Sequence, residues 1–279
     1  MAVGTTFTAA CLQVNASADM AANIAAASDL TRSAVAQGAQ LVLMPENVSM
    51  MEWGRANIIA KAQPEGTHPA LQAFRALARD LSIWLHCGSL AIILPTGKVA
   101  NRTYVVDPDG SVAATYDKIH MFDVDLGNGE RYAESATFDA GHRAVSVDLP
   151  WGRLGLTICY DLRFPHLYRD LCQAGADFLC VPAAFTRPTG EAHWHVLLRA
   201  RAIETGCFVF APAQTGVHAG DRKTYGHALI INPWGEVLKD AGADPGVILA
   251  TIDVGEVARA RAKIPAWALN SAFSPAARA

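Results

Sequence analysis

A chain of 279 residues, 51% hydrophobic and 18% charged, has the apolar content of a folded globular protein and excludes a disordered or low-complexity one. Its net charge of −3 excludes a polybasic surface, so neither nucleic acid nor an anionic membrane is expected as a partner. No apolar run approaches the roughly 20 residues that span a bilayer. The N-terminus MAVGTTFTAACLQVN lacks a basic start followed by an apolar segment, so no secretory signal is expected and a cytoplasmic location is. The six cysteines, Cys11, Cys87, Cys159, Cys172, Cys180 and Cys207, form no C-x-x-C pair, and most sit among Val, Leu, Ile and Phe. Neither a disulfide scaffold nor a structural zinc site fits that spacing.

In chain order, FTAACLQVN (7–15) reads as a strand closed by polar Asn15. Residues 20–37 are Ala-rich with apolar positions at helical spacing, stopping before Gly38. QLVLMPE (40–46) reads as a buried strand ended by Pro45, and a helix over about 69–80 leads into the apolar run 83–94. Turns at PTGK (95–98) and DPDG (107–110) make residues 83–117 a β-meander. AVSVDLP, a WG turn and RLGLTI predict a hairpin running into Cys159. A helix from Pro165, a strand over 177–182, a helix over 191–205, a strand over 207–213 and an NPWG turn (232–235) between strands follow. No linker, composition break or close repeat divides the chain, so residues 1–279 read as one α/β domain with mixed sheets covered by helices.

The segment LGLTICYDLRFP (154–165) places Cys159 between a predicted strand and a helix with Pro165 in its first turn. A tight strand-to-helix turn exposes its central side chain and aims successive N–H groups at one point. Those amides would hold an oxyanion and depress the thiol pKa. A buried structural cysteine is the alternative, against which the following Asp161 and Arg163 count, since a purely buried segment rarely continues into a charged pair. A nucleophilic cysteine needs a base. Glu46 stands where LVLMPE leaves the core, and partial desolvation there would raise its pKa and make it a better proton acceptor. Lys118, in TYDKIHMFD, follows a strand in the same way. Taken singly, the glutamate and the lysine also read as solvated surface residues.

With these motifs in view, the chain resembles the nitrilase superfamily of carbon–nitrogen hydrolases over essentially its whole length. LVLMPE is similar to the family's catalytic-glutamate motif, YDKIHMFD to its lysine motif and ICYDLRFP to its nucleophile motif, in the family's order. The resemblance implies Glu46 as base, Lys118 as oxyanion stabiliser, Cys159 as nucleophile and Glu134, in RYAES, as the glutamate that orients the lysine. It implies a four-layer αββα sandwich and a two-fold pairing into a homodimer or higher homo-oligomer. The tail 264–279 would then drape across a neighbour, an unstructured tail being the alternative. The implied reaction is cofactor-independent and metal-free hydrolysis of a linear carboxamide through a thioester, with the Tyr160 N–H as second oxyanion donor. Asp117 and His120 would support the loop rather than react.

CYDLRFP with Arg163, and the block AHWHVLLRARAIETGCFVFAPAQTG, resemble the Nit branch, in particular members that hydrolyse deaminated glutathione to 2-oxoglutarate and Cys-Gly. The sister ω-amidases act on 2-oxoglutaramate, and other small-amide or N-carbamoyl hydrolysis belongs to the same set. Either 2-oxo acid needs a cation for its carboxylate. Arg187, in a predicted loop after the strand 177–182, is one candidate, with a solvent-facing loop arginine as the alternative; Arg222 and Lys223 are further candidates, and Thr186 is a substrate-binding candidate beside them.

Other readings use the same residues differently. A papain-like base would be His166, His193 or His195, but the local signature around Cys159 is missing. His193 and His195 spell H-x-H, yet residues two apart on a helix point to different faces, which makes shared metal ligation awkward. A nitrilase proper or a transamidase would share the acyl-enzyme chemistry. A catalytically silent binding scaffold has no chemical need for all four of Glu46, Lys118, Glu134 and Cys159.

Overall fold

The structure is a computed structural model that describes residues 6–127, 129–274 and 276. Its first half runs β1 (Thr6–Val14), α1 (Met20–Ala36), β2 (Leu41–Leu43), α2 (Arg55–Lys61), α3 (Pro69–Leu81), β3 (Trp84–His86), β4 (Leu90–Ile93), β5 (Val99–Val106) and β6 (Val112–Asp117). A short hairpin, β7 (Asp123–Asp125) with β8 (Arg131–Ala133), and β9 (Phe138–Asp139) follow. The second half runs β10 (Val145–Leu149), β11 (Gly152–Leu156), α4 (Pro165–Gln173), β12 (Phe178–Cys180), α5 (Arg187–Thr205) and β13 (Phe208–Ala211). It closes with β14 (Ala213–Val217), β15 (Lys223–Tyr225), β16 (Leu229–Ile231), β17 (Val237–Asp240), β18 (Gly246–Asp253) and α6 (Gly255–Lys263).

Two mixed sheets result. One has ten strands, in which β1 pairs with β2 and β14 in parallel and with β18 antiparallel. The other has six, with β11, β12 and β13 parallel at its centre and antiparallel neighbours outside. β5 accepts β3 and β4 on one side and β6 on the other, so the expected meander forms with a break at Cys87–Ser89.

The layers follow from strand periodicity. Ala9, Cys11, Leu41 and Leu43 share a core with Leu154 and Leu156 of the other sheet, whereas Ala10, Leu12 and Val42 pack with Ala27 and Ala34 of α1 and Phe74 and Leu77 of α3. Both faces of β1 and β2 are thus buried, which is why these strands read as continuous apolar runs. α4 and α5 cover the second sheet, completing the αββα order. Among the described residues all six cysteines are free and buried, and no helix is long and apolar enough to cross a membrane.

α5 begins at Arg187, four residues earlier than the spacing predicts. Pro188 and Gly190 read as loop residues, but Pro fits a helix's first turn. Gly190 is required by packing: a Cβ there would meet the Tyr225 side chain at 2.3 Å. Of the tail, residues 265–268 form a short 3-10 turn. Arg169 and Gln173 of α4 donate to the carbonyls of Ala266 and Trp267, so this part of the tail lies on its own chain. Residues 275 and 277–279 of the segment expected to reach a neighbour lie outside the described residues.

Candidate active site

The strand ends converge as the sequence implied. Glu46 follows β2, Lys118 follows β6, and Cys159 follows β11, all beside one crevice where ligands gather in open α/β sheets. Cys159 opens a 3-10 turn with φ at +50°, a left-handed conformation that strains any non-glycine residue. The strain is held in place by the Cys159 N–H donating to the Pro182 carbonyl at 2.9 Å and by Asp161 Oδ2 accepting from the Ile158 N–H at 2.8 Å. The Tyr160 N–H is the next amide of that turn.

Lys118 is 2% exposed and donates to Glu46 Oε1 at 3.0 Å and to both Glu134 oxygens at 2.9 and 2.8 Å. Glu46 is as buried, and its Oε2 accepts from the Ala184 N–H at 2.9 Å. Glu134 also accepts from the Phe122 N–H at 2.6 Å, which fixes the carboxylate that aligns the lysine. Asp117 and His120 have the supporting contacts expected of them. Asp117 is doubly bonded by Arg102, and His120 donates its backbone N–H to Asp161 and stacks on Phe164.

Two expectations about proton affinity are reversed. Burial pushes the Cys159 thiol well up, and the Glu46 charge adds to this against the opposing pull of Lys118. The thiol is therefore the resting form rather than a thiolate. For Glu46, burial alone would raise the carboxyl, but the Lys118 charge, the Cys159 thiol and the Arg222 charge outweigh it and hold the group below the ordinary glutamate value. Lys118 is lowered by burial and raised more strongly by Glu134 and Glu46, so it stays an ammonium. A strand-end position gave the burial; only the fold places the lysine that overrides it.

The crevice opens into a cavity of about 310 Å³ lined by Glu46, Lys118, Glu134 and Cys159. Arg55, Arg131, Arg163 and Arg222 also line it, and Thr186 contributes to the wall as expected. Arg187 does not. It is exposed on the first turn of α5, outside the lining, because the helix starts at this residue and turns its side chain to solvent. No histidine is among the described residues that line the cavity, so His166, His193 and His195 are not placed as bases for Cys159. His193 and His195 do diverge: His193 meets Arg163 at 3.2 Å, and His195 meets Asp240 at 3.0 Å. With His227, His195 and Asp240 bring donor atoms within 4.8 Å of one another, a set able to hold a metal ion outside the crevice lining.

Sequence reasoning missed Asn101, Asp161 as an anchor, and the placement of Arg222. Asn101 of β5 donates to Glu46 Oε1 at 2.9 Å and to Glu134 Oε1 at 3.4 Å. Its signal was a lone amide within the strand VANRTYVV. Arg222 donates to the Ala184 carbonyl at 2.8 Å, lies over the Tyr132 ring, and keeps a buried Nε without a partner among the described residues.

A thiol with an ionised acceptor for its proton and a fixed ammonium beside it is equipped to attack a carbonyl carbon and carry its acyl group. Fold and site together fit the class of hydrolases that work through a cysteine. More narrowly, the chain belongs to the carbon–nitrogen hydrolase family, whose sequence model, described as Carbon-nitrogen hydrolase, matches residues 8–262. A deaminated glutathione amidase of Synechocystis is 42% identical over 268 residues, covering 93% of this chain and 96% of that protein. The human deaminated glutathione amidase is 37% identical, covering 91% and 79% respectively. The crystal structure of the Caenorhabditis elegans NitFhit protein superposes with a TM-score of 0.90 at 36% identity, covering 97% of this chain and 66% of that one. The protein is thus an amidase of the nitrilase superfamily.

Proposed function

We propose that this amidase hydrolyses deaminated glutathione to 2-oxoglutarate and Cys-Gly, with Cys159 as nucleophile and Glu46 as base. The observation that carries this reading is the joining, in one cavity, of the buried Glu46–Lys118–Glu134–Cys159 cluster with four arginines. Deaminated glutathione carries a carboxylate at each end, and guanidinium forks match carboxylates. Among the four arginines, Arg222 is the candidate we favour for a carboxylate, because its Nε is buried and has no partner among the described residues. The names of the relatives point the same way.

In this reading Glu46 takes the thiol proton as Cys159 Sγ attacks the amide carbonyl, so no free thiolate need accumulate. The Lys118 ammonium and the Tyr160 N–H hold the oxyanion. Glu46 returns the proton to the departing nitrogen, leaving a thioester, and then activates the water that hydrolyses it. Glu134 and Asn101 position the lysine and the base. No organic cofactor or metal takes part in this scheme. The reading includes a cytoplasmic homodimer or higher homo-oligomer; exposed Val196 and Ile203 on α5 and Phe273 in the tail support the assembly.

The test is 2-oxoglutarate release from deaminated glutathione and from 2-oxoglutaramate, side by side. A higher kcat/KM on the first supports the proposal. Preference for the second makes the protein an ω-amidase, and turnover of neither overturns the substrate assignment.

A further inference from the structure

Away from the crevice, a second cavity of about 240 Å³ lies between α4, the end of α5 and the tail, lined by Cys172, Arg169, Glu204 and Trp267 among others. Beside it, Cys172 of α4 and Cys207, immediately before β13, converge on the same two atoms. Arg261 Nη2 donates to Cys172 Sγ at 3.2 Å and to Cys207 Sγ at 3.1 Å. The Thr205 carbonyl lies 3.1 Å from Cys172 Sγ and 3.8 Å from Cys207 Sγ, and Cys207 Sγ donates to the Ala176 carbonyl at 3.2 Å. Arg261 is itself fixed by the Ala176 and Thr205 carbonyls and by Trp267, whose ring lies 4.6 Å beneath the guanidinium.

A guanidinium nitrogen shared between two sulfurs is poorly used by two neutral thiols, which accept weakly, and well used by one thiolate. The two sulfurs are also unequal. Cys172 is held below the ordinary thiol range, first by its hydrogen bond from Cys207 and then by the Arg261 charge against burial. Cys207 is raised well above that range by burial and by the bond it gives to Cys172. Cys172 is thus the more readily ionised of the two sulfurs, and it alone of the two lines the cavity. None of these groups lines the crevice of Cys159.

We propose that Cys172 and Cys207 are a peroxide-oxidisable pair, with Cys172 as the attacking thiol and Cys207 as its resolving partner. The Cys172 thiolate attacks one oxygen of a hydroperoxide and the O–O bond breaks, leaving Cys172 as a sulfenic acid; the departing alkoxide or hydroxide takes a proton from water. Cys207 sulfur then attacks the sulfenic sulfur, the S–O bond breaks, and the hydroxide leaves with the Cys207 proton as water. Two electrons pass from the sulfurs to the peroxide, and a disulfide remains. The other thiols lack this arrangement: Cys11, Cys87 and Cys180 are fully buried and raised, and Cys159 is raised beside a carboxylate.

The experiment treats the full-length protein with hydrogen peroxide at neutral pH and maps peptides by mass spectrometry without reduction. A linked Cys172–Cys207 peptide should appear before any change at Cys11, Cys87 or Cys180. In Cys207→Ser, the sulfenic acid on Cys172 should persist and take a dimedone label. In Arg261→Gln, labelling or linking should slow roughly 5-fold, the net of lost thiolate and gained nucleophilicity. Absence of the linked peptide from the wild-type protein, or oxidation of Cys172 no faster than that of Cys87, would overturn the proposal. Dimedone-free Cys172 in folded Cys207→Ser would overturn it as well.

Discussion

The Tyr116 hydroxyl donates to Asp161 Oδ2 at 2.7 Å, joining the strand that carries Lys118 to the turn that carries Cys159. The same carboxylate accepts the Ile158 and His120 N–H groups, so three residues flanking Lys118 and Cys159 meet on one fully buried aspartate. A carboxylate accepting several N–H and O–H donors sets loop positions more firmly than packing alone.

Asp161→Asn should therefore lower kcat about 10-fold or more with little change in KM, since charged hydrogen bonds of this kind are worth about 1.5–3 kcal/mol each. Tyr116→Phe removes one donor and should show a smaller loss in the same direction. Steady-state kinetics read the split. A rise in KM with kcat intact would mean that Asp161 shapes the substrate cavity and not the spacing of Lys118 and Cys159.

Lys118→Met leaves two carboxylates facing one another in a buried site. The oxyanion role predicts a fall in kcat of about 10²-fold or more. A second effect follows from the lowered Glu46 carboxyl, whose largest opposing influence is burial. With the ammonium gone, burial and Glu134 act unopposed by it, so the acid limb of the kcat/KM profile should move to higher pH. An unmoved acid limb with full activity would remove both Lys118 roles.

How much of this was legible from the residues differs by position. Glu46, Lys118 and Cys159 were readable because each breaks an apolar strand run with a polar group, and a side chain at a strand end must face either solvent or a site. Their proton affinities were not readable. Desolvation is a local property of a strand end, whereas the Lys118 charge that lowers Glu46 comes from 72 residues away. Arg187 failed for a related reason: Pro188 and Gly190 are loop signals in isolation, and only the packing of Gly190 on Tyr225 reveals a helix. Arg222 could be named as a cation but not placed, because its buried Nε depends on Tyr132 and Ala184 meeting it across the crevice.

The carboxylate role separates Arg222 from Arg187. Arg222→Met should reduce kcat/KM on deaminated glutathione by about 10²-fold, the loss of a desolvated charged partner. It should affect a small neutral amide much less. Arg187→Ala should stay within about 2-fold on both, since an exposed side chain outside the cavity has nothing to hold. Equal losses on charged and neutral substrates in Arg222→Met would assign Arg222 to tuning Glu46 alone.

Stability should depend on pH through two buried histidines. His86 Nδ1 accepts the Gly88 N–H at 3.1 Å and its Nε2 lies 2.9 Å from Thr103 Oγ1, which selects the neutral ring. His68 Nδ1 accepts the Ala70 N–H at the start of α3. Burial lowers His86 to about 3 and His68 to about 4. The unfolded chain binds protons near the ordinary value of about 6.5 while the folded chain does not, so stability rises with pH across that interval. It is fully present above about 6.5 and is lost as pH falls toward 4 and 3. Urea midpoints at pH 7.5 and pH 5 should show the lower value at pH 5, with a smaller gap in His86→Gln. Equal midpoints would contradict the neutral assignment.

The proposed function depends above all on an acyl group passing through Cys159. Rapid quenching of the enzyme with deaminated glutathione, followed by peptide mass spectrometry, tests it most directly. A thioester carrying the acyl part of the substrate should appear on the Cys159 peptide, with little or none in Glu46→Gln and neither adduct nor turnover in folded Cys159→Ala. Turnover retained in Cys159→Ala, or an acyl group found on any other residue, would contradict it.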